Sequence, residues 1–289
     1  IAVGMNYALH NKELGHTHEN KEPVIFLKPD SAILKDGKPF FIPDFSNEVH
    51  YEAEVVVRIC RLGKNIETST STCSVAVSED GQNVFKKEDL NGPSHAVSLG
   101  IFVDEALSFA DSHAMPLDAV AVSCGPGSYT GLRIGVSMAK GVCYGRNLPL
   151  IGLETLKVQC VPVLLYHDEL PDDALLCPMI DARRMEVYAA IYDRALKSVR
   201  DIAADIVDEN SYLEFLEQHP VYFFGDGAAK CKEKITHPNA HFIDGIRPLA
   251  GMMFPLAEKA IAEQDFKDVA YFEPFYLKEF VAGTPKKLI

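Results

Sequence analysis

The chain has 289 residues, 47% of them apolar and 24% charged, with 28 Lys and Arg against 41 Asp and Glu for a formal net charge of −13. That length allows two domains with ordinary cores, and this composition excludes a disordered chain. No run approaches the roughly 18 apolar residues of a membrane span, and so acidic a surface is a poor platform for a phosphate backbone, so any service to nucleic acid is expected to be indirect.

The opening "IAVGMNYALHNKE" lacks a basic start followed by an apolar run, so a cytoplasmic protein without a membrane segment is expected. Ile1 stands where an initiator Met would, which suggests a truncated start. Seven cysteines, Cys60, Cys73, Cys124, Cys143, Cys160, Cys177 and Cys231, show no metal-knuckle spacing and read as reduced, mostly buried thiols.

Residues 1–64 carry 8 basic and 9 acidic side chains, leaving 20 and 32 for residues 65–289, so the second segment holds nearly all the net charge. Within the first, "EVHYEAEVVVRI" reads as a strand that places His50, Glu52 and Glu54 on one face. Two carboxylates so placed can chelate a hard cation such as Mg, or simply form the polar face of a half-exposed strand.

From Asn65 the pattern changes. "NIETSTSTCSVAVSEDGQNVF" predicts a strand, a Ser/Thr-rich turn, a strand with Cys73, Val75 and Val77 inward, and a hairpin turn at Asp80-Gly81. Leu62 and Ile66 are the only large apolar residues of "RLGKNIE", so the first strand is expected to be short. Residues 94–111 predict a helix capped by Ser94, with Val97, Ile101, Leu107 and Phe109 at helical spacing.

"LDAVAVSCGPGSYTGLRIGVSMAKGVCYGRNLPLIGLETL" then predicts a buried strand, a glycine loop, a helix and a further strand. The loop "GPGSYTG" suits either an anion at a helix head or a tight turn with close helix packing. In the helix, Gly131, Gly135, Ala139 and Cys143 recur every four residues; such a face either packs within its own domain or meets a partner helix, and the four form the candidate interface set.

"LLCPMIDARRMEVYAAIYDRALKSV" repeats the opening design, with Asp181 where Glu67 stood, and "FFGDGAAK" adds another strand and glycine turn. Such repetition predicts a duplicated α/β fold of the actin-like, sugar-kinase-like kind. The two hairpin turns, "ETSTSTC" and "DARRMEV", contain no glycine to let nucleotide phosphates approach the backbone, so nucleotide hydrolysis is expected to be lost.

Two resemblances complete the reading. "VGMNYALHNKEL", "EPVIFLKP" and "HYEAEVVV" resemble the amino-terminal part of the fumarylacetoacetate hydrolase family. The resemblance implies metal ligands at Glu52 and Glu54, a catalytic lid pair at His10 and Glu13, and a pocket residue at Lys28. It ends near Lys64, before that family's third metal ligand, and Met5 replaces a common Arg, so an incomplete β-rich fragment with at most weak Mg binding is expected.

"IETSTSTCSVAV", "GPGSYTGLRIGVSMAKG", "PLIGLETL", "IDARRMEVY" and "PFYLKEF" are similar to the bacterial TsaB (YeaZ) family, in order, across residues 65–289. This implies an α/β, duplicated actin-like (ASKHA, ribonuclease H-like) two-subdomain fold, with subdomains at about 65–160 and 161–289. It also implies a non-catalytic role in threonylcarbamoyladenosine formation on tRNA, with no cofactor of its own. The implied partners are a TsaD-like catalytic paralogue and a TsaE-like ATPase, with a homodimer through the helices near 94–111 and 128–145. The chain thus reads as a fusion of two families, joined at about residue 64.

Overall fold

The computed structural model describes residues 2–4, 24–26, 65–90 and 95–278. Strands β1 (Ala2–Gly4) and β2 (Val24–Phe26) pair antiparallel, with Val3 opposite Ile25. His10, Glu13, Lys28, His50, Glu52, Glu54, Leu62 and Ser94 lie outside the described residues.

From Asn65 the chain builds the same five-stranded sheet twice. The first contains β3 (Asn65–Glu67), β4 (Cys73–Glu79), β5 (Gln82–Asp89), β6 (Val120–Gly125) and β7 (Leu150–Glu154) in the order β5-β4-β3-β6-β7. The second contains β8 (Leu175–Asp181), β9 (Glu186–Tyr192), β10 (Ser198–Ile206), β11 (Val221–Phe224) and β12 (Ala240–Ile243) in the order β10-β9-β8-β11-β12. In each, three strands meander antiparallel and two are added parallel on the far side of the first. This is the expected duplicated α/β architecture.

Local chemistry explains the elements. Asp80 and Gly81 both take positive φ, 47° and 76°, as a tight hairpin between twisted strands requires. In β4, Cys73, Val75 and Val77 point as expected toward one core and Ala76 toward the other. β3 is short, as its sequence predicts, yet wholly buried, because it pairs with β4 on one side and β6 on the other.

One face of the first sheet is covered by α1 (His95–Ser112) and α2 (Tyr129–Arg146), which bury Leu99, Val103, Leu107, Val136, Ala139 and Cys143 against Ile66, Val75 and Val122. The inward stripe of α1 is therefore Leu99, Val103, Ala106, Leu107 and Ala110, while Val97 and Ile101 are exposed. The sequence pattern spans both sides of this helix because apolar residues such as Val97 and Ile101 also stand on its outer face, beside Asp104 and Glu105.

The opposite face of the first sheet is covered late in the chain, by α5 (Phe254–Glu263), whose Ala257 and Ala260 join Ala76, Ala121 and Ile151. Conversely, α3 (Thr155–Tyr166) follows the first sheet but lays Leu156, Cys160 and Val163 on Leu176, Ile180 and Phe224 of the second. The second sheet's other face buries Cys177, Met179 and Val187 with Leu216 of α4 (Leu213–Leu216). After α5, residues 264–278 run back along the first sheet: Lys267 donates to the Leu150 carbonyl at 2.7 Å and Phe275 to that of Cys124 at 2.7 Å. Six described cysteines are free thiols, five of them buried. No helix among the described residues is long and apolar enough to cross a membrane.

Candidate functional site

The duplication places two hairpin turns, residues 68–72 and 182–185, at matching ends of the two sheets. The first turn is closed by contacts within the chain. Glu67, the last residue of β3, is 0% exposed, and its Oε1 accepts the Ser69 amide and the Ser69 hydroxyl, both at 2.5 Å. The Ser69 carbonyl in turn accepts the Ser128 amide at 2.6 Å, and Thr68 Oγ1 donates to the Gly131 carbonyl at 2.8 Å.

The turn is thereby seated on the glycine loop and the head of α2. A β-carbon on Gly127 would meet the Ser69 carbonyl, and one on Gly131 the Thr68 carbonyl, so glycine is what permits the contact. Of the amides at the head of α2, that of Ser128 goes to Ser69 and that of Gly131 to the Ser128 hydroxyl, at 3.3 Å. Of the two readings of "GPGSYTG", the geometry supports close packing.

Burial pushes the Glu67 carboxyl above its ordinary range, and the hydroxyls of Ser123 and Ser69 and the Ser69 amide only partly offset this. A buried polar seam continues from it toward the second half. Ser123 at the end of β6 shares a 2.8 Å hydrogen bond with Thr155, whose Oγ1 also accepts the Gly125 amide at 3.2 Å. Gln159, one turn further along α3, is buried with neither amide atom hydrogen-bonded, and its Oε1 abuts Gly225 after β11. At the rim, Tyr192 at the end of β9 donates its hydroxyl to Glu154 at the end of β7, and Lys157 lies 5.5 Å from the Tyr192 ring centroid.

The second turn is exposed. Asp181 accepts the Arg183 amide at 2.8 Å and pairs with Lys230, while the Asp226 carboxylate accepts the Asp181 amide at 3.1 Å. Partial burial is the largest influence on Asp181 and pushes its carboxyl up, but Lys230, the Arg183 amide and the nearby cations together hold it below its usual value. Among the described residues no three His, Cys, Asp or Glu side chains converge as a metal site. Cys124, partly exposed, is pushed up to about 12, by burial first and by Glu154 next, which leaves a thiol rather than a nucleophile.

The interface expectation for α2 needs correction. Gly131, Gly135, Ala139 and Cys143 are all buried, Gly131 and Gly135 against Thr68 and the other two in the core with Val75 and Val122. Small residues at spacing four let another element come close, and that element is the chain's own β3–β4 turn. What α1 and α2 turn outward is different: Val97, Ile101 and Tyr144 are 65%, 55% and 59% exposed, with Phe102, Ile134 and Met138 half-buried beneath them. His10, Glu13, Glu52 and Glu54 lie outside the described residues.

Sequence reasoning also passed over Lys140. It is buried on α2, in helical register with Val136 and Cys143, and its Nζ donates to the carbonyls of Ala270 and Phe272, both at 3.0 Å. A lone cation on an apolar helical face was the available signal.

Comparison with known proteins gives the chain relatives in two families. The family model described as TsaD, tRNA N6-adenosine threonylcarbamoyltransferase, matches residues 90–280, and that of the fumarylacetoacetate hydrolase C-terminal domain matches residues 1–77. The tRNA threonylcarbamoyladenosine biosynthesis protein TsaB of Escherichia coli is 30% identical over 226 residues, 75% of this chain and 94% of its own length. The mitochondrial oxaloacetate tautomerase FAHD1 of Arabidopsis thaliana is 42% identical over 69 residues, 24% of this chain and 30% of its own length. The crystal structure of YeaZ from Pseudomonas aeruginosa superimposes with a TM-score of 0.62 at 22% identity, covering 73% of this chain and 97% of that one, which shows the shared fold. The chain therefore belongs to the TsaB (YeaZ) family, within the wider group that the TsaD model describes, and its amino-terminal residues are similar to the fumarylacetoacetate hydrolase family.

Proposed function

We propose that this chain is a non-catalytic scaffold subunit of the machinery that forms threonylcarbamoyladenosine on tRNA. It acts beside a catalytic paralogue of the TsaD type and a TsaE-type ATPase, in the cytoplasm, touches tRNA only indirectly, and uses no cofactor through residues 65–289. The observation that carries the reading is the seating of the Thr68–Ser69 turn on the loop and helix head at Gly127–Gly131. Backbone that a nucleotide-using relative would leave open to phosphate is there engaged by the chain itself. The names of its relatives supply the pathway.

A homodimer, or a heterodimer with the paralogue, is built on the exposed apolar surface of α1 and α2 around Val97, Ile101 and Tyr144. The decisive experiment is reconstituted threonylcarbamoylation of unmodified tRNA with the TsaC-, TsaD- and TsaE-type proteins of the same genome. Modification is expected to require this chain and to survive deletion of residues 1–64, and the chain alone is expected not to turn over ATP. Modification at full rate without it would sink the proposal.

A second reading is favoured by the match over residues 1–77: a Mg-dependent hydrolase or decarboxylase of small oxo-acids, using Glu52 and Glu54 for the metal with His10 and Glu13. Its test is Mg-dependent turnover of acylpyruvates or oxaloacetate by the full chain, abolished by Glu52→Ala.

A further inference from the structure

The turn between β8 and β9 holds two arginines whose guanidinium groups make no hydrogen bond or ion pair with another described residue, although the charge of Arg183 helps to lower Asp181. Arg183 and Arg184 are both exposed, and both sit at positive φ, 73° and 52°, in the left-handed region that Gly and Asn occupy most readily. Among the described residues, Arg146, Arg194 and Arg200 each hold an aspartate, and Arg247 a backbone carbonyl. Neither guanidinium of the pair finds an ion-pair or hydrogen-bond partner among the described residues.

The acids that bracket the turn are already taken. Asp181 is engaged by Lys230, which also donates to the Glu186 carbonyl at 2.7 Å, and Glu186 by Lys278, which reaches over from the carboxyl-terminal segment. Two lysines brought from distant parts of the chain neutralise the local carboxylates and leave both guanidinium forks facing solvent. In a chain of net charge −13, this turn is a local excess of positive charge.

We propose that the β8–β9 turn is a docking point for a carboxylate-rich surface of a protein partner, with Arg183 and Arg184 as its bidentate contacts. The planar fork of Arg matches a carboxylate through two parallel hydrogen bonds, which a Lys cannot reproduce. A protein partner fits better than RNA, because two cations neutralise at most about two phosphates, a weak hold against the field of so acidic a chain. This rests on the reading above that the chain works in an assembly, and it assigns that assembly a second contact, on the half of the molecule opposite the apolar surface of α1 and α2.

The test uses the full chain and the purified TsaD-type subunit of the same genome, with Kd measured by calorimetry at low and high salt. The double variant Arg183→Asn, Arg184→Gly suits the left-handed turn and should melt no lower than the wild type. It is expected to bind about 10- to 100-fold more weakly at low salt, with a flatter salt dependence. Arg183→Lys, Arg184→Lys, which keeps charge but not the fork, should fall between. Unchanged affinity and salt dependence in the Asn-Gly variant overturns the inference alone, whereas a wild-type chain that does not bind the subunit overturns the functional reading and the inference together. Unchanged protein affinity with lost affinity for unmodified tRNA would make the turn an RNA contact and likewise overturn the proposal.

Discussion

Thr68 and Gly135 share one small space: the threonine hydroxyl, held by its 2.8 Å hydrogen bond to the Gly131 carbonyl, lies where a β-carbon on residue 135 would have to go. Enlarging Gly135 to Leu overpacks the core rather than opening a dimer, and is expected to destabilise the fold by about 1–3 kcal/mol with a lower melting temperature. Thermal melting checks this. Gly135→Ala combined with Thr68→Ala should lose less than the two single changes added together, since the pair collides directly.

Glu67 is buried with one carboxylate oxygen unpartnered and a carboxyl raised above its unfolded value of 4.5. A raised acid binds its proton more tightly when folded, so its contribution is fully present at acid pH, below the unfolded value, and is lost as pH climbs through the folded one. Glu67→Gln keeps an oxygen for the Ser69 donors and removes the buried charge. The variant should melt above the wild type at pH 8, and the difference should vanish below about pH 4. A melting series across that window decides it.

Lys140 ties the returning segment to α2 through the carbonyls of Ala270 and Phe272. Lys140→Met strands both, at about 1–3 kcal/mol for each acceptor left dry. Because the loss is local, hydrogen exchange should quicken first at residues 264–278, at the Lys267 and Phe275 amides in particular, before the strand at Val120 is affected.

Tyr192→Phe removes the donor that links the end of β9 to Glu154 at the end of β7, leaving Lys157 at 3.7 Å as the nearest cation to that carboxylate. A loss of about 1–3 kcal/mol is expected in denaturant unfolding. Burial first, and then the Glu154 charge, drive the Tyr192 phenol well above its usual value. The alkaline absorbance titration of the native variant should therefore match the wild type's, with no missing tyrosine step until unfolding begins.

The sequence by itself determined the duplicated sheets, because period-two patterns such as Cys73, Val75 and Val77 and turn chemistry such as Asp80-Gly81 are local properties that tertiary context reinforces. It also determined the family, through ordered motifs across residues 65–289. It did not determine which way a helix faces. Apolar residues on two sides of α1 and the small residues of α2 fit either orientation, and only assembly against β3 and the Thr68 turn buried Gly135 and exposed Val97 and Ile101. Nor could order along the chain show that α3 packs on both sheets, with Val158 on the first and Leu156, Cys160 and Val163 on the second, or that α5 returns to the first. The partners of Lys140 and the open guanidinium groups of Arg183 and Arg184 are long-range facts of the same kind: residues 130 or more positions apart decide the first, and lysines from two distant parts of the chain the second.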